Sequence, residues 1–196
     1  MVRVVGVSLY RDTVQVLTEW TPPDPDQADL QRRFLDLLRA EPGAIRPDHP
    51  GAHITASVLV VDAVGERVLL CLHGRMHRWV QLGGHLEDAD PTLVAAGLRE
   101  ATEESGITGL RLDPVPIHLD VHRVNCRYGP ADHYDVRFAA IAPAGAVEQV
   151  SDESTALGWF APDALPHPLA HATQPLVQPA LRAAALLRSG AGRLGA

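Results

Sequence analysis

Apolar and polar residues in the first fifty positions follow a strand-like and then a helix-like pattern. Residues 2–10 predict a strand, and residues 12–13 are suited to cap a short helix that follows. The prolines of residues 21–25 end any helix there, and apolar residues then recur at helical spacing over residues 26–40. We expect residues 1–50 to pack on the following domain as a helical extension. A structural or dimer-forming role is favoured over a role in substrate specificity.

Strand-like apolar runs predominate in the rest of the chain. Residues 54–61 and 67–73 are two such runs, and the polar segment 62–66 between them predicts a β-hairpin. A further strand is expected at residues 155–160, and a terminal helix with one apolar face at residues 174–189. Both strands and helices are therefore expected in this part of the chain.

One more helix is predicted between residues 90 and 106. Asp90 is suited to be its N-cap, and Pro91 fits the first helical position. Gly106 stands where a helix C-terminus favours a left-handed residue. These signals bound a helix of about four turns.

The polar face of this helix carries three carboxylates close together. Glu100, Glu103 and Glu104 are spaced i, i+3 and i+4, so their like charges repel one another. Their position near the helix C-terminus adds to the repulsion. A hard divalent cation such as Mg²⁺ or Mn²⁺ would relieve it, because these ions prefer oxygen ligands. Arg99 precedes the three residues and can hold a glutamate through a bidentate pair.

The segment from Gly84 to Ile107 resembles the Nudix box, the signature of the Nudix hydrolase family. The run Arg99-Glu100-Ala101-Thr102-Glu103-Glu104-Ser105-Gly106-Ile107 reproduces the second half of that motif, and Gly84 fills its opening glycine. Two departures are visible. Asp90 stands where the motif has glutamate, and one additional residue separates it from the arginine.

The resemblance implies a fold and a chemistry. The fold would be the α/β (α+β) Nudix fold, an α/β/α sandwich with a central mixed sheet, over residues 51–189. The glycines and small residues that follow predict a flexible tail at 190–196. The activity would be metal-dependent hydrolysis of a phosphoanhydride in a nucleoside diphosphate linked to another moiety, such as a nucleotide sugar or dinucleotide. The three glutamates and the Gly84 carbonyl would hold Mg²⁺ or Mn²⁺, and Arg99 would orient them. Glu103, Glu104 or Glu153 would take the proton of the attacking water.

Other functions are possible on the same fold. A Nudix-fold protein that senses a nucleotide without cleaving it ranks second, because such a protein would be expected to have lost glutamates that are present here. An isomerase ranks third, since neither Cys71 nor Cys126 lies in a sequence context typical of a reactive cysteine.

Two further segments place polar residues on alternate positions of predicted strands. If the strands pair as an antiparallel hairpin, six polar side chains share one face. They are His118, Asp120 and His122 on the first strand, and His133, Asp135 and Arg137 on the second. This face can line the substrate cleft, hold a second metal through histidines, or form an internally satisfied polar network. The sequence leaves all three open.

The composition of the chain limits the kinds of partner and environment that are expected. The net charge of the 196-residue chain is −7, so a basic surface for nucleic acid is not expected, and a small nucleotide-type substrate is favoured. Its two cysteines have no metal-site spacing and are expected to be reduced thiols in a cytoplasm. The apolar runs are too short to span a membrane. A homodimer is compatible with the amphipathic extension.

Overall fold

A mixed β-sheet runs through the centre of the protein, with helices on both faces. The computed structural model describes residues 5–126, 129–151 and 154–190. The helices are α1 (Val5–Glu19), α2 (Pro25–Ala40), α3 (Leu93–Ser105) and α4 (Val177–Arg188), with 3₁₀ turns at Pro42–Ile45 and Gln174–Leu176. The strands are β1 (Ala52–Val61), β2 (Val68–His73), β3 (Trp79–Val80), β4 (Leu82–His85), β5 (Arg111–Leu112), β6 (His118–Cys126), β7 (Gly129–Ile141) and β8 (Ser154–Phe160). The predicted α+β class with a central mixed sheet is confirmed.

Strand β1 lies at the centre of the sheet. It pairs in parallel with β7 on one side, and antiparallel with β4 and then β2 on the other. The predicted β1–β2 hairpin is confirmed, and so is the antiparallel pairing of β6 with β7. The strand at residues 155–160 and the terminal helix are also present, the first turn of that helix being 3₁₀.

The sheet buries a separate apolar cluster on each face. One cluster joins alternate residues of β1 and β7, such as Val58 and Phe138, to α1, α2 and α3. The other joins the intervening residues at the far end of the same strands, such as Leu59 and Ala139, to α4. Helix α4 covers only that end of the second sheet face. The other end of the same face carries the polar residues of β1, β6 and β7. Within the described ranges, no helix combines the length and apolar character needed to cross a membrane.

The prediction of a strand at residues 2–10 is wrong where the chain is described. Residues 5–19 form the single helix α1, and residues 2–4 lie outside the described residues. Leu9, Thr13 and Leu17 are buried one helical turn apart, which is the period of a helix packed on one side. Apolar β-branched residues at the start of the chain suit either structure, and tertiary packing decides between them.

The start of α3 also differs from its prediction. Thr92, rather than Asp90, is the N-cap, and its hydroxyl accepts a hydrogen bond from the Ala95 N–H at 3.0 Å. Asp12 of α1 accepts the Leu93 N–H at 2.7 Å, so the extension satisfies a second free donor at this helix end. The C-terminal prediction is confirmed, because Gly106 adopts the left-handed conformation with φ of 68°.

A buried glutamine joins the extension to the sheet. The side-chain amide of Gln27 in α2 donates to the Leu119 carbonyl of β6 at 3.1 Å and accepts the Leu119 N–H at 2.7 Å. Gln27 is 5% exposed, so neither backbone group is well placed to bind water instead.

Replacing Gln27 by leucine is therefore expected to lower the free energy of unfolding by about 2 kcal/mol, because it leaves a buried N–H and a buried carbonyl unpaired. Urea unfolding followed by circular dichroism measures the change. Gln31→Leu is the control variant. The Gln31 amide donates to the carbonyls of Leu17 and Trp20, which both lie within the extension. Equal losses in the two variants would contradict a special role for the contact with β6.

Candidate active site

Arg99 on α3 organises the glutamates beside β4. Its Nε and Nη2 atoms donate to the two carboxylate oxygens of Asp90, each at 3.0 Å. Nη1 donates to Glu100 at 3.0 Å and to Glu103 at 3.1 Å. Nη2 also donates to the His85 carbonyl at 2.8 Å, which ties α3 to the end of β4. Burial acts to lower the pKa of Arg99, but its pairing with Asp90 and Glu100 outweighs this and raises it.

The three glutamates occupy different environments. Glu104 is 7% exposed and accepts the Gly83 N–H at 2.8 Å. Glu100 lies against Gly84: a Cβ atom added to that glycine would stand 2.8 Å from the nearer carboxylate oxygen. The Glu103 side chain is 60% exposed and reaches Arg99 from the solvent side. Two carboxylates thus face the glycine pair of β4, and the third is open to water.

The glycine pair permits this approach. Gly83 has φ of 143°, and a Cβ atom there would meet the Ser57 Cα at 2.4 Å. Both facts demand glycine at residue 83. Gly84 has no such backbone conflict, and the space that its missing side chain leaves is filled by the Glu100 carboxylate. Glu153, the remaining predicted catalytic residue, lies outside the described residues.

The six predicted polar residues of β6 and β7 share one face, as the alternation indicated. Asp120 lies opposite Asp135, while His118 lies opposite Arg137 and His122 opposite His133. Strand β1 extends the same face with alternating polar residues that were not predicted as part of it. These are His53, Thr55 and Ser57, and they lie beside His133, Asp135 and Arg137 in the parallel register.

One part of this face is a closed polar network around Arg137, which is 1% exposed. The guanidinium donates to Asp135 at 2.7 Å, to Asp120 at 2.9 Å and to the Ala172 carbonyl at 2.8 Å. Asp135 also accepts the hydroxyls of Thr55 at 3.1 Å and Ser57 at 2.8 Å. The arrangement favours the internally satisfied network among the three alternatives for these residues.

Histidines flank the network on two sides. His122 Nδ1 lies 2.8 Å from Asp120 Oδ2, and His118 Nε2 lies 3.2 Å from the Gln27 amide. Burial acts to raise the pKa of Asp120, but the hydrogen bond to His122 and the charge of Arg137 outweigh it and lower the pKa. Burial, followed by the charge of Arg137, lowers the pKa of His118.

The other part of the face is a cluster of three histidine rings, His53 on β1, His85 on β4 and His133 on β7. Their ring centroids are 4.7 to 5.0 Å apart. Burial lowers the pKa of His53. Burial, together with the neighbouring histidines, lowers the pKa of His133 to about 3. The rings of His53 and His133 are therefore neutral near pH 7.

Four residues of these sites were not predicted from the sequence: His53, Thr55 and Ser57 on β1 and His85 on β4. Asp90, expected as the N-cap of α3, binds Arg99 instead. The alternation of His53, Thr55 and Ser57 along β1 was visible in the sequence, but the parallel pairing that sets it beside β7 was not.

Comparisons with known proteins agree with the fold and the motif. The sequence profile of the NUDIX domain matches residues 51–179. A NUDIX-family hydrolase from Clostridium perfringens is similar in structure, with a TM-score of 0.53 and 25% sequence identity over 69% of this chain and 97% of that one. A MutT NUDIX hydrolase from Burkholderia pseudomallei is 27% identical, with a TM-score of 0.47 over 64% of this chain and 95% of that one. No match was found among curated proteins.

The protein is accordingly a hydrolase that acts on phosphoanhydride bonds. The predicted resemblance and the predicted Nudix fold are confirmed. Because the profile match covers more than half of the 196 residues, the chain belongs to the NUDIX family.

Proposed function

We propose that the protein is a metal-dependent pyrophosphohydrolase that cleaves a nucleoside diphosphate linked to another moiety. The observation that carries the proposal is the placement of Glu100 and Glu104 against the glycine pair of β4, with Arg99 holding Glu100 and Glu103 from the other side.

The residues at this position fit a hard divalent cation such as Mg²⁺ or Mn²⁺. Glu100, Glu103 and Glu104 offer carboxylate oxygens, the donors that these ions prefer. The Glu100 carboxylate fills the space that a side chain at residue 84 would take. We assign the Gly84 carbonyl to the same set of donors. When bound, the metal neutralises phosphate charge and lowers the pKa of a coordinated water.

The chain's own groups divide the remaining work. Arg99 positions Glu100 and Glu103 and is itself fixed by Asp90, which is 4% exposed. Glu103 is open to solvent, so it is the described glutamate best placed to accept the proton of an attacking water. Glu153 is the alternative base.

The polar face beside the site contributes to substrate binding mainly through its exposed members. His122 is 41% exposed at its side chain and can meet a phosphate or ribose hydroxyl. Arg137 and Asp135 are committed to each other and buried, so they position Asp120 and His122 rather than contact substrate.

The function is tested by incubating the purified protein with dinucleotides, nucleotide sugars, ADP-ribose and nucleoside triphosphates, with Mg²⁺ or Mn²⁺. Products are separated by chromatography. We expect turnover of at least one diphosphate-linked compound, loss of turnover with excess EDTA, and recovery when metal is restored. Tight nucleotide binding without turnover of any diphosphate-linked compound would instead support the sensing alternative and overturn this proposal.

Adding one methyl group at Gly84 separates site geometry from folding. Gly84→Ala is expected to displace the Glu100 carboxylate and to lower metal-dependent turnover about tenfold or more. Its melting temperature should change little, because the atoms that must shift belong to the Glu100 carboxylate and not to the backbone. Turnover at several metal concentrations, with thermal melting, measures both effects. Unchanged turnover would remove the Gly84 approach from the site.

A further inference from the structure

We propose that His53, His85 and His133 form a second metal site, specific for a transition-metal dication of the Zn²⁺ class. One potential ligand nitrogen from each ring lies within 4.8 Å of the other two. The three residues come from three adjacent strands, so the sheet itself fixes their relative positions. This proposal does not depend on the proposed function.

Two of the rings present buried nitrogens with no partner. His53 is fully buried, and its Nε2 atom makes no hydrogen bond; the Nε2 atom of His133 is likewise buried and unpaired. Such atoms are uncommon, because a buried polar group without a partner costs about 1–3 kcal/mol. The Nδ1 atom of His53 lies 3.5 Å from the His49 carbonyl, so Nε2 is the His53 nitrogen that remains available to a ligand.

The donor set selects the type of metal. Three imidazoles without a carboxylate among them suit Zn²⁺, Co²⁺ or Ni²⁺, whereas Mg²⁺ and Mn²⁺ favour oxygen ligands. A zinc ion binds imidazole nitrogen at about 2.0–2.1 Å, so binding would draw the three ligand nitrogens closer together than the 4.8 Å within which they now lie. The chain thus offers oxygen donors on α3 and nitrogen donors in the histidine cluster.

The two sites lie on opposite faces of β4. Gly84 faces α3, since a side chain there would meet Glu100. His85, the next residue along the strand, therefore projects to the other face, where it contacts His53 and His133. An ion at the histidines would join β4, β1 and β7, and it would steady the strand whose glycines meet the glutamates.

Cobalt titration tests the site. Chelator-treated protein is titrated with Co²⁺ while excess Mg²⁺ occupies oxygen-donor sites, and visible absorption is recorded. We expect one equivalent to bind with the absorption bands of nitrogen-ligated, four- or five-coordinate cobalt, and Zn²⁺ to abolish the bands. His53→Ala and His85→Ala should each weaken binding at least about tenfold. The exposed His171→Ala is the matched control and should bind as the wild type does.

A second measurement keeps the proposal testable if the variants fail to fold. Wild-type crystals soaked in Zn²⁺ should give an anomalous difference peak between the three rings at the zinc absorption edge. A peak only at the α3 glutamates, no peak, or cobalt binding that is equal in the wild type and His53→Ala would overturn the proposal. Glu104→Gln should keep the cobalt signal, so failure of this site and failure of the proposed hydrolase are distinguishable.

Discussion

Replacing Glu104 by glutamine is expected to lower the rate of metal-dependent phosphoanhydride hydrolysis about a hundredfold or more. The substitution removes the negative charge of one of the carboxylates that face the glycine pair, and so weakens its proposed coordination of the cation. The amide oxygen can still accept the Gly83 N–H, and the side chain keeps its size. The free energy of unfolding should therefore change by less than about 1 kcal/mol.

Steady-state kinetics over a range of Mg²⁺ concentrations measure this effect, and urea unfolding measures stability. Glu66→Gln is the matched control, because Glu66 is exposed in the turn between β1 and β2. It makes the same chemical change away from α3 and should leave turnover within about twofold of the wild type. A Glu104→Gln enzyme with nearly normal turnover would exclude this carboxylate from the reaction.

Replacing Arg137 by methionine is expected to destabilise the protein by about 3–5 kcal/mol. The guanidinium is the cation between two carboxylates, of which Asp135 is 3% exposed. Without it, Asp135 keeps only two hydroxyl donors, and the negative charge is buried without compensation. Chemical unfolding at neutral pH measures the loss.

Two further variants test whether the loss of stability comes from the uncompensated charge. Arg123→Met removes an arginine from β6 whose ion pair with Asp132 is largely exposed, and it should cost less than about 1 kcal/mol. Adding Asp135→Asn to Arg137→Met removes the uncompensated charge and should restore part of the lost stability. If the double variant were as unstable as the single one, the loss would come from packing and not from charge.

The pattern of the sequence predicted most of the sheet, because β1 and β2 lie in two apolar runs and β6 and β7 alternate polar with apolar residues. The helix α3 was predicted from its terminal signals, of which Gly106 is confirmed as the left-handed residue at its C-terminus. The prediction failed where a distant partner decides the outcome. Asp90 has the local features of an N-cap, but its carboxylate binds Arg99, and Thr92 caps the helix in its place. Of the strand predicted at residues 2–10, the described residues 5–10 are helical, and α1 packs against the sheet domain.

The site was predictable only as far as it lies in one segment. Arg99 and the three glutamates belong to one helix, so helical spacing alone brought them together. The histidine cluster required the parallel register of β1 with β7 and the antiparallel register of β1 with β4. Neither register can be read from alternation within a strand, so His53 and His85 gave no sequence signal that connected them with His133.

The contact of Gln27 with Leu119 has a consequence for association between molecules. Strand β6 pairs with β7 on one side, and the Gln27 amide occupies outward-facing backbone groups that another chain's strand would otherwise use. The Gln27 side chain of α2 therefore makes hydrogen bonds to edge strand β6 that a neighbouring strand would otherwise make. Truncating residues 1–50 would expose the unpaired backbone N–H and carbonyl groups of Leu119 on edge strand β6. Shortened forms of this protein should therefore be prone to aggregate by intermolecular strand pairing.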